Sequence, residues 1–261
     1  MMAIKKTKKR FSKEIPLEID NDIIVSEIEK SSKKSLYCNF KICNKFKFND
    51  VHQTFVDLVM MDSTRIVFID GPAGSAKSYL SVYIGLQMLK AKQISQIIYL
   101  RSIIESSSKS IGALKGFLEE KFQPYTEIMK QKLEEIVGGK VGEELIKNEY
   151  IKCMPVNFIR GLTFKDALVI VDESQNLDSK ELTTILTRFG ENSKFVIIGD
   201  SFQADIGNKS GFSKIRQAFD DVESEEKGIH SLVFGENEIV RSEILKFIVK
   251  KLENLPLPTS H

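Results

Sequence analysis

Residues 65–78 read RIVFIDGPAGSAKS, and this stretch decides the fold class. Its first half is a short apolar run that ends at a glycine, which is typical of a buried strand. Its second half matches the phosphate-binding loop pattern G-x-x-x-x-G-K-[ST] at Gly71, Lys77 and Ser78, although Ala76 replaces the second glycine. Apolar residues then recur at helical spacing. The order of strand, glycine loop and helix is the context that this loop pattern requires.

Strand and helix patterns alternate along the rest of the chain. Further strands are predicted at residues 96–100, 151–156, 167–171, 194–198 and 229–234. Helices are predicted at residues 78–92, 125–137, 180–189, 212–219 and 238–252. Strands that alternate with helices favour a parallel sheet with helices on both faces, so the expected fold class is α/β.

The length and composition fit one main domain with a sizeable core. The chain has 261 residues, of which 42% are hydrophobic and 28% charged, and its formal net charge of +2 indicates no partner by itself. The polar, lysine-rich residues 1–48 are expected to form a basic N-terminal arm and a small appendage. The domain with alternating elements is expected to span residues 49–254, followed by a C-terminal tail at 255–261.

The N-terminal arm concentrates positive charge. Six of the first thirteen residues are basic, and no acidic residue precedes Glu14. Such an arm either contacts nucleic acid or is simply solvated. It lacks the apolar segment of a signal peptide, and the chain has no run of 18 uncharged apolar residues, so we expect no membrane span. The 3 cysteines fit neither a disulfide framework nor a zinc site and favour a reducing compartment, the cytoplasm.

The loop at residues 71–78 carries groups that suit phosphates. Its backbone N–H groups would surround the phosphates at a helix N-terminus, Lys77 would neutralise the outer phosphates, and the Ser78 hydroxyl would bind Mg²⁺. The nucleotide-binding residues predicted from the pattern are Gly71, Pro72, Ala73, Gly74, Ser75, Ala76, Lys77 and Ser78. The alternative is a glycine turn with a purely structural role.

Two further predicted strands end in polar residues. One is followed by the adjacent carboxylates of Asp172 and Glu173, and the next by Gln203. Ligands of open α/β sheets bind at the carboxyl ends of the strands. Asp172 is therefore predicted to hold Mg²⁺, Glu173 to deprotonate an attacking water, and Gln203 to contact both the γ-phosphate and that water. Taken singly, each residue also fits an ordinary strand end or loop.

The motifs together resemble those of the PhoH-like proteins. They are GPAGSAKS (71–78), VDESQN (171–176), LTRFG (186–190), GDSFQAD (199–205), KSG (209–211) and IVRSEI (239–244). The resemblance covers roughly residues 50–252. It implies a RecA-like P-loop NTPase core, related to the first motor domain of superfamily-1 helicases, with ATP and Mg²⁺ as cofactors. Some members of this family are linked to RNA unwinding or RNA turnover.

The resemblance also assigns roles to residues outside the loop. It implies that Gln53 reads the adenine edge and that Arg241 contacts the γ-phosphate. Arg188 stands in the family's LTR-G element, and Arg101 stands where the family has T-R-P, with Ser102 in place of the proline. A nucleic-acid contact is therefore a hypothesis for Arg101, and a surface ion pair is the alternative for each arginine.

Ala76 is the main departure from the loop pattern. It immediately precedes helical residues, where the backbone of alanine is normally acceptable, so we expect an ordinary backbone conformation there. The N–H group survives the change from glycine, but the methyl group approaches the β-phosphate. Nucleotide binding or turnover is therefore expected to be weaker than the family pattern implies, but not absent.

Together with these patterns, the resemblance implies a cytoplasmic, Mg²⁺-dependent ATPase that acts on single-stranded RNA or DNA. Because one motor domain is predicted, whereas a monomeric helicase clamps ATP between two, we expect a ring of identical subunits, with a hexamer suggested by analogy. Two alternatives remain open. One is a nucleotide-binding switch or nucleic-acid-binding module with negligible turnover. The other, with less support, is a metal-dependent ribonuclease.

Overall fold

The computed structural model describes residues 40–102 and 118–253. The predicted tail at 255–261 and most of the predicted basic arm, residues 1–39, lie outside these ranges. The described residues form a six-stranded sheet with helices packed around it.

All six predicted strands are present. They are β1 (Ile66–Asp70), β2 (Gln96–Arg101), β3 (Ile151–Pro155), β4 (Ala167–Asp172), β5 (Ser193–Gly199) and β6 (Ile229–Val233). Their ends differ from the predicted ends by no more than one residue. The strands pair in parallel in the order β3-β2-β4-β5-β1-β6. The predicted α/β class, with a parallel sheet, is confirmed.

The apolar composition of the central strands explains why they form the sheet interior. Every residue of β1, β4 and β5 is buried. A strand of a parallel sheet that is covered on both faces must be apolar on both sides, so each of these strands contains a continuous apolar run rather than an alternating pattern. Phe68, Val169 and Phe195 contribute one residue from each of these strands to the hydrophobic core.

Helices connect the strands and cover the sheet. They are α1 (Asp50–Met60), α2 (Lys77–Lys90), α3 (Leu118–Val137), α4 (Gly139–Lys147), α5 (Ser179–Leu186), α6 (Phe212–Ala218), α7 (Val222–Glu226) and α8 (Glu243–Glu253). The sequence patterns do not predict α1, α4 and α7. In the described part of the chain, no helix has the length and apolar character needed to cross a membrane.

Local features explain the unpredicted helices. α1 begins at a capping box, in which the side chains of Asn49 and His52 satisfy each other's backbone N–H groups. α4 follows Gly138 and contains Gly142, two residues that argue against a helix. A Cβ on Gly142 would lie 2.7 Å from Leu133 Cβ, so this glycine allows α4 to pack closely against α3. α7 has only 5 residues, too few to show a helical period.

The strand order aligns the ends of three central strands. β5 lies between β1 and β4, so Asp70, Asp172 and Asp200 come to one edge of the sheet. The loop at residues 71–78 leaves β1 at the same edge and leads into α2. Ligands of open α/β sheets bind at this edge, so the sheet gathers the predicted site residues into one place.

Candidate functional site

A cavity of about 540 Å³ opens at the carboxyl edge of the sheet. Its lining brings together most of the predicted site residues: Ala73, Gly74, Ser75, Ala76, Lys77, Ser78, Arg101, Asp172, Glu173, Gln203 and Arg241. It also includes residues to which the sequence patterns assign no role: Lys45, Phe46, Tyr79, Lys132, Glu135, Gln175 and Asp200. A cavity of this size can hold a ligand as large as a nucleotide.

Lys77 is buried and lies against its own loop. Its Nζ donates hydrogen bonds to the carbonyl oxygens of Gly71, at 2.5 Å, and Pro72, at 2.8 Å. Burial lowers the pKa of Lys77, and the nearby carboxylates of Asp200 and Asp172 offset only part of that shift. α2 begins at Lys77, so the N–H groups of its first turn lie at the same place. The loop therefore combines a cation with N–H donors, an arrangement that suits a chain of phosphates.

The backbone of Ala76 is left-handed, with φ 63° and ψ 14°. The expectation of an ordinary conformation here is wrong, because Ala76 is the N-cap of α2 and not part of its first turn. A left-handed conformation brings Cβ too close to the following carbonyl oxygen and costs alanine about 1–2 kcal/mol, whereas glycine adopts it freely. The loop pattern therefore has glycine at this position because the backbone is left-handed there, whether or not the residue contacts a phosphate.

We expect Ala76→Gly to raise the free energy of unfolding by about 1 kcal/mol, because glycine relieves the left-handed strain and loses only part of that gain to its freedom in the unfolded chain. Ala91→Gly is the matched control. Ala91 caps the other end of α2 with φ −76°, so glycine should lower the free energy of unfolding there by about 0.4–1 kcal/mol. Urea unfolding measures both changes, and equal destabilisation by the two substitutions would contradict a strained Ala76.

Asp172 is buried at the end of β4 and accepts hydrogen bonds through both carboxylate oxygens. Its Oδ1 accepts from the Ser78 hydroxyl at 2.8 Å and from the backbone N–H of Glu173 at 3.1 Å. Its Oδ2 accepts from the Tyr99 hydroxyl at 2.6 Å. Burial, together with the adjacent Asp172 carboxylate, raises the pKa of Tyr99 well above its usual range, so this hydroxyl keeps its proton and acts as the donor.

The oxygens of Ser78 and Asp172 have a spacing that fits Mg²⁺. Neighbouring ligands of an octahedral Mg²⁺, each at about 2.0–2.1 Å from the ion, are about 2.9 Å from one another. The Ser78 hydroxyl and Asp172 Oδ1 are 2.8 Å apart. Hydroxyl and carboxylate oxygens are also the hard donors that this ion prefers. The two residues predicted to hold Mg²⁺ are therefore compatible with it in both chemistry and spacing.

Glu173 follows Asp172 in a left-handed conformation, with φ 56°. Such a backbone is uncommon for a residue other than glycine and tends to occur at functional sites. Its Oε1 lies 3.3 Å from Arg101 Nη2, and its Oε2 accepts a hydrogen bond from Gln175 Nε2 at 2.7 Å. Gln175 in turn accepts a hydrogen bond from the backbone N–H of Asp200 at 3.1 Å. The Glu173 carboxylate is thus held at the cavity wall by one side chain on each oxygen.

Asp200 is a cavity residue to which the sequence patterns assign no role. Burial raises the pKa of the Asp200 carboxyl, and nearby Lys77 reduces that shift without cancelling it. Its Oδ1 accepts from the Phe202 backbone N–H at 3.1 Å, while its buried Oδ2 has no hydrogen-bond partner among the described residues. A buried oxygen in that state is ready for water or a ligand. The signal that could have found it is its place after an apolar strand, which Asp172 shares.

Gln203 and Gln53 occupy different places. Gln203 is exposed and lines the cavity four residues beyond Gly199, the last residue of β5. Gln53 lies outside the cavity lining, exposed on α1, where its amide donates to Asp57 at 2.8 Å. The ring of Phe46 lines the cavity and packs on Tyr79, with ring centroids 5.2 Å apart. The contact of Gln53 with adenine stays a prediction.

Arg241 lines the cavity, but it does not lie in a helix, although the periodicity predicts a helix over residues 238–252. It precedes α8, which begins at Glu243 and not at residue 238. The preceding residues form a short 3-10 turn, after which the Val240 backbone N–H donates to the Gly74 carbonyl at 3.1 Å. This bond fixes the segment that carries Arg241 against the phosphate-binding loop.

Helical spacing in the sequence predicts one apolar stripe on this helix, made of Ile244, Leu245, Ile248 and Leu252, and the structure buries only part of it. Leu245 packs over the loop, since a Cβ on Gly74 would lie 2.7 Å from Leu245 Cδ2. Leu245 is half-buried, and Val249, one turn later, is buried. The other predicted members of the stripe are exposed: Ile244, Ile248 and Leu252. The two sets are neighbouring stripes on one helix, and spacing alone cannot tell which of them faces the domain.

Arg188 and Arg101 lie at opposite edges of the sheet. Arg188 follows α5 near the start of β4, where its carbonyl accepts from the Phe164 backbone N–H at 2.9 Å and its Nε donates to the Thr184 carbonyl at 3.2 Å. It is not among the residues that line the cavity of its own chain. Arg101 ends β2 inside the cavity and pairs with Glu173, a partner that the sequence patterns do not suggest. Its contact with nucleic acid stays a prediction.

A phosphate-binding loop at the carboxyl edge of a parallel sheet, with a serine–aspartate pair beside its lysine, defines a nucleotide-binding P-loop protein. Within that class, the chain belongs to the PhoH-like protein family, whose sequence profile matches residues 47–253. The resemblance inferred from the motifs is confirmed.

Known relatives are similar over most of the chain. The PhoH-like protein of Bacillus subtilis is 33% identical over 192 residues, which cover 73% of this chain and 59% of the relative. Protein PhoH of Escherichia coli (strain K12) is 32% identical over 189 residues, which cover 71% of this chain and 52% of the relative. The chain thus spans little more than half the length of these relatives. The solved structure of Pif1 helicase from Candida albicans matches with a TM-score of 0.39 and 16% identity, covering 81% of this chain and 45% of that one.

Proposed function

We propose that this protein is a Mg²⁺-dependent ATPase of the PhoH-like type. The observation that carries the proposal is the 2.8 Å contact between Ser78 and Asp172, beside the buried cation of Lys77. The loop suits the phosphates of ATP, and the Ser78–Asp172 oxygen pair suits Mg²⁺. When bound, Mg²⁺ would withdraw negative charge from the phosphates and so favour attack by water.

Each polar side chain of the cavity has a task in this proposal. Lys77 leaves the loop carbonyls, contacts the outer phosphates and offsets the charge that develops on the transferred group. Glu173 takes a proton from the attacking water once Arg101 or Gln175 has released one of its oxygens. Gln203 orients that water and contacts the γ-phosphate.

An arginine is proposed to complete the charge stabilisation on the open side of the γ-phosphate. Arg241 lines the cavity of its own chain and is assigned to that cavity. Arg188 lies at the opposite sheet edge, so it would act on the cavity of a neighbouring subunit. That second assignment requires a closed ring of identical chains, for which a hexamer is the proposed size.

We expect both Arg241→Ala and Arg188→Ala to lower ATP turnover by about 1,000-fold or more while ATP binding is retained, since arginines of this kind act on transition-state charge. Mixing with Lys77→Ala protein separates the two roles. The Lys77 variant has a dead site but an intact Arg188, so it should restore turnover to Arg188→Ala protein and not to Arg241→Ala protein. Failure of the Arg188 mixture at every ratio, with a fully active monomeric wild type, would contradict the ring.

Single-stranded RNA or DNA is the proposed partner, and ATP hydrolysis is proposed to be coupled to its binding or unwinding. The cytoplasm is the proposed location. The supports are the cluster of basic residues near the N-terminus and the similarity of the motifs to helicase motor domains. Arg101 is the proposed contact, because it stands where the family has T-R-P, and its ion pair with Glu173 would connect strand binding to the proposed base. A nucleotide-binding switch with negligible turnover is the second candidate. It is favoured by the strained Ala76 and by the engagement of both Glu173 oxygens.

Phosphate release with and without single-stranded RNA or DNA tests the proposal. We expect Mg²⁺-dependent release of phosphate from ATP that increases when a single strand is added. ATP binding without measurable release, with or without a strand, would support the switch and contradict the ATPase. Cleavage of labelled RNA in the absence of ATP would support a ribonuclease.

A further inference from the structure

The hydroxyl of Tyr99 makes a contact that its sequence context does not suggest. Tyr99 lies within the apolar run of β2, and its relative exposure is 0%. A residue in such an apolar run is expected to belong to the core of the sheet. However, β2 is the parallel neighbour of β4, and across this pair the Tyr99 hydroxyl donates to Asp172 Oδ2 at 2.6 Å. A buried tyrosine hydroxyl needs a partner, and here the partner is the carboxylate proposed to hold Mg²⁺.

This hydrogen bond determines which oxygen Asp172 presents to the cavity. Asp172 is only 4% exposed, so water has little access to replace a lost donor at Oδ2. With Oδ2 held by Tyr99, Oδ1 is directed at the Ser78 hydroxyl and the backbone N–H of Glu173. A hydrogen bond to an ionised group is stronger than one between neutral groups, which makes the hydroxyl an effective restraint on the carboxylate.

We propose that Tyr99 is a positioning residue of the metal site, whose hydroxyl fixes the Asp172 carboxylate so that Oδ1 and the Ser78 hydroxyl form a ready pair of ligands for Mg²⁺. The inference rests on the proposed function, because it takes Mg²⁺ with ATP as the ligand. In this proposal Tyr99 acts through Asp172 and contacts neither Mg²⁺ nor ATP. Donors that orient metal ligands in this way change metal affinity by about 10-fold to 100-fold when they are removed.

Binding of Mn²⁺, followed by the electron paramagnetic resonance signal of the free ion, tests the proposal without turnover. With a non-hydrolysable ATP analogue present, Tyr99→Phe should weaken Mn²⁺ binding by about 10-fold or more, because it removes only the hydroxyl. Binding of the analogue without metal should not change. Tyr83→Phe is the matched control, since it removes a hydroxyl of α2 that accepts from Gln87 outside the cavity lining. It should leave Mn²⁺ binding as in the wild type.

A further variant separates hydrogen bonding from packing. Tyr99→Phe keeps the packing of the ring and loses the donor, whereas 4-aminophenylalanine at position 99 keeps both the ring and an N–H donor at the place of the hydroxyl. The proposal requires tighter Mn²⁺ binding with 4-aminophenylalanine than with phenylalanine, and the reverse order would overturn it. If Tyr99→Phe does not fold, 4-aminophenylalanine against 4-methylphenylalanine at position 99 gives the same comparison, because only the amine of the two offers a donor.

Measurements on the wild type and on Tyr99→Phe together separate the role of Tyr99 from the proposed ATPase function. Wild-type affinity for Mn²⁺ in the Tyr99→Phe protein would overturn the role of Tyr99 and leave the proposed ATPase intact. A wild-type protein that binds neither the analogue nor Mn²⁺ would overturn the proposed function, and this inference with it. A selective loss of Mn²⁺ binding in Tyr99→Phe, with Tyr83→Phe unchanged, supports both.

Discussion

Lys77→Ala is expected to lower ATP turnover by about 100-fold or more, because preorganised charge at the transferred phosphate contributes an effect of that size. The cavity makes the loss severe. Lys77 is the buried cation among the carboxylates of Asp70, Asp172 and Asp200, and without it these groups would repel the phosphates. ATP binding should therefore weaken together with turnover.

Lys90→Ala is the matched control for this prediction. Lys90 lies at the other end of α2, exposed, with its Nζ 6.0 Å from the ring centroid of Phe40. Removing it deletes the same charge from the same helix away from the cavity. Phosphate release should fall in Lys77→Ala and stay at the wild-type level in Lys90→Ala. Unchanged release by folded Lys77→Ala protein would remove the loop from the mechanism.

Glu173→Gln is expected to lower the rate of ATP hydrolysis by about 100-fold to 10,000-fold while ATP binding is kept. The amide cannot accept the proton of the attacking water, but it has the size of the carboxylate and still accepts a hydrogen bond from Gln175. Loss of the charge also ends the ion pair with Arg101, now 3.3 Å away, which leaves a cation free beside the phosphates. ATP binding should be as tight as in the wild type, or tighter.

Glu135→Gln serves as the control for the loss of a carboxylate from the same cavity. Glu135 is half-exposed at the cavity lining, where it pairs with Lys45 at 3.5 Å, and the proposal gives it no part in hydrolysis. Rapid-quench measurement of ADP formation and equilibrium binding of ATP would be made on both variants. Loss of ATP binding in folded Glu173→Gln protein, or turnover close to the wild type, would contradict the role of Glu173 as the base.

The strands and the loop could be predicted from sequence because their signals are local. β1, β4 and β5 are continuous apolar runs, and the spacing between Gly71 and Ser78 is a fixed pattern. The left-handed backbone at Ala76 could not be predicted from the sequence, because alanine readily adopts a helical backbone. Only the position of Ala76 as the N-cap of α2 rules out a helical backbone there. The sequence places the start of α8 too early, because Val240 stands four residues before Ile244 and extends the apolar spacing beyond the first residue of the helix, Glu243.

The contacts within the site depend on strand order, which the sequence does not state. From the sequence alone, Tyr99 is expected to be a core residue of β2. The pairing of β2 with β4 brings the Tyr99 hydroxyl to Asp172. Arg101 reads as a surface cation until the same pairing brings it to Glu173. Side-chain partners between segments far apart in the chain follow from topology, so a single sequence without its fold leaves them unassigned.

A crystal structure of the Glu173→Gln protein with ATP and Mg²⁺ would test whether this cavity binds and hydrolyses ATP. We expect an intact triphosphate along residues 71–78, with Lys77 on its outer phosphates and the metal at Ser78 and Asp172. The wild-type protein, crystallised in the same way, should contain ADP at that place. A nucleotide bound elsewhere, a metal away from Ser78 and Asp172, or intact ATP in the wild-type crystals would contradict hydrolysis at this site.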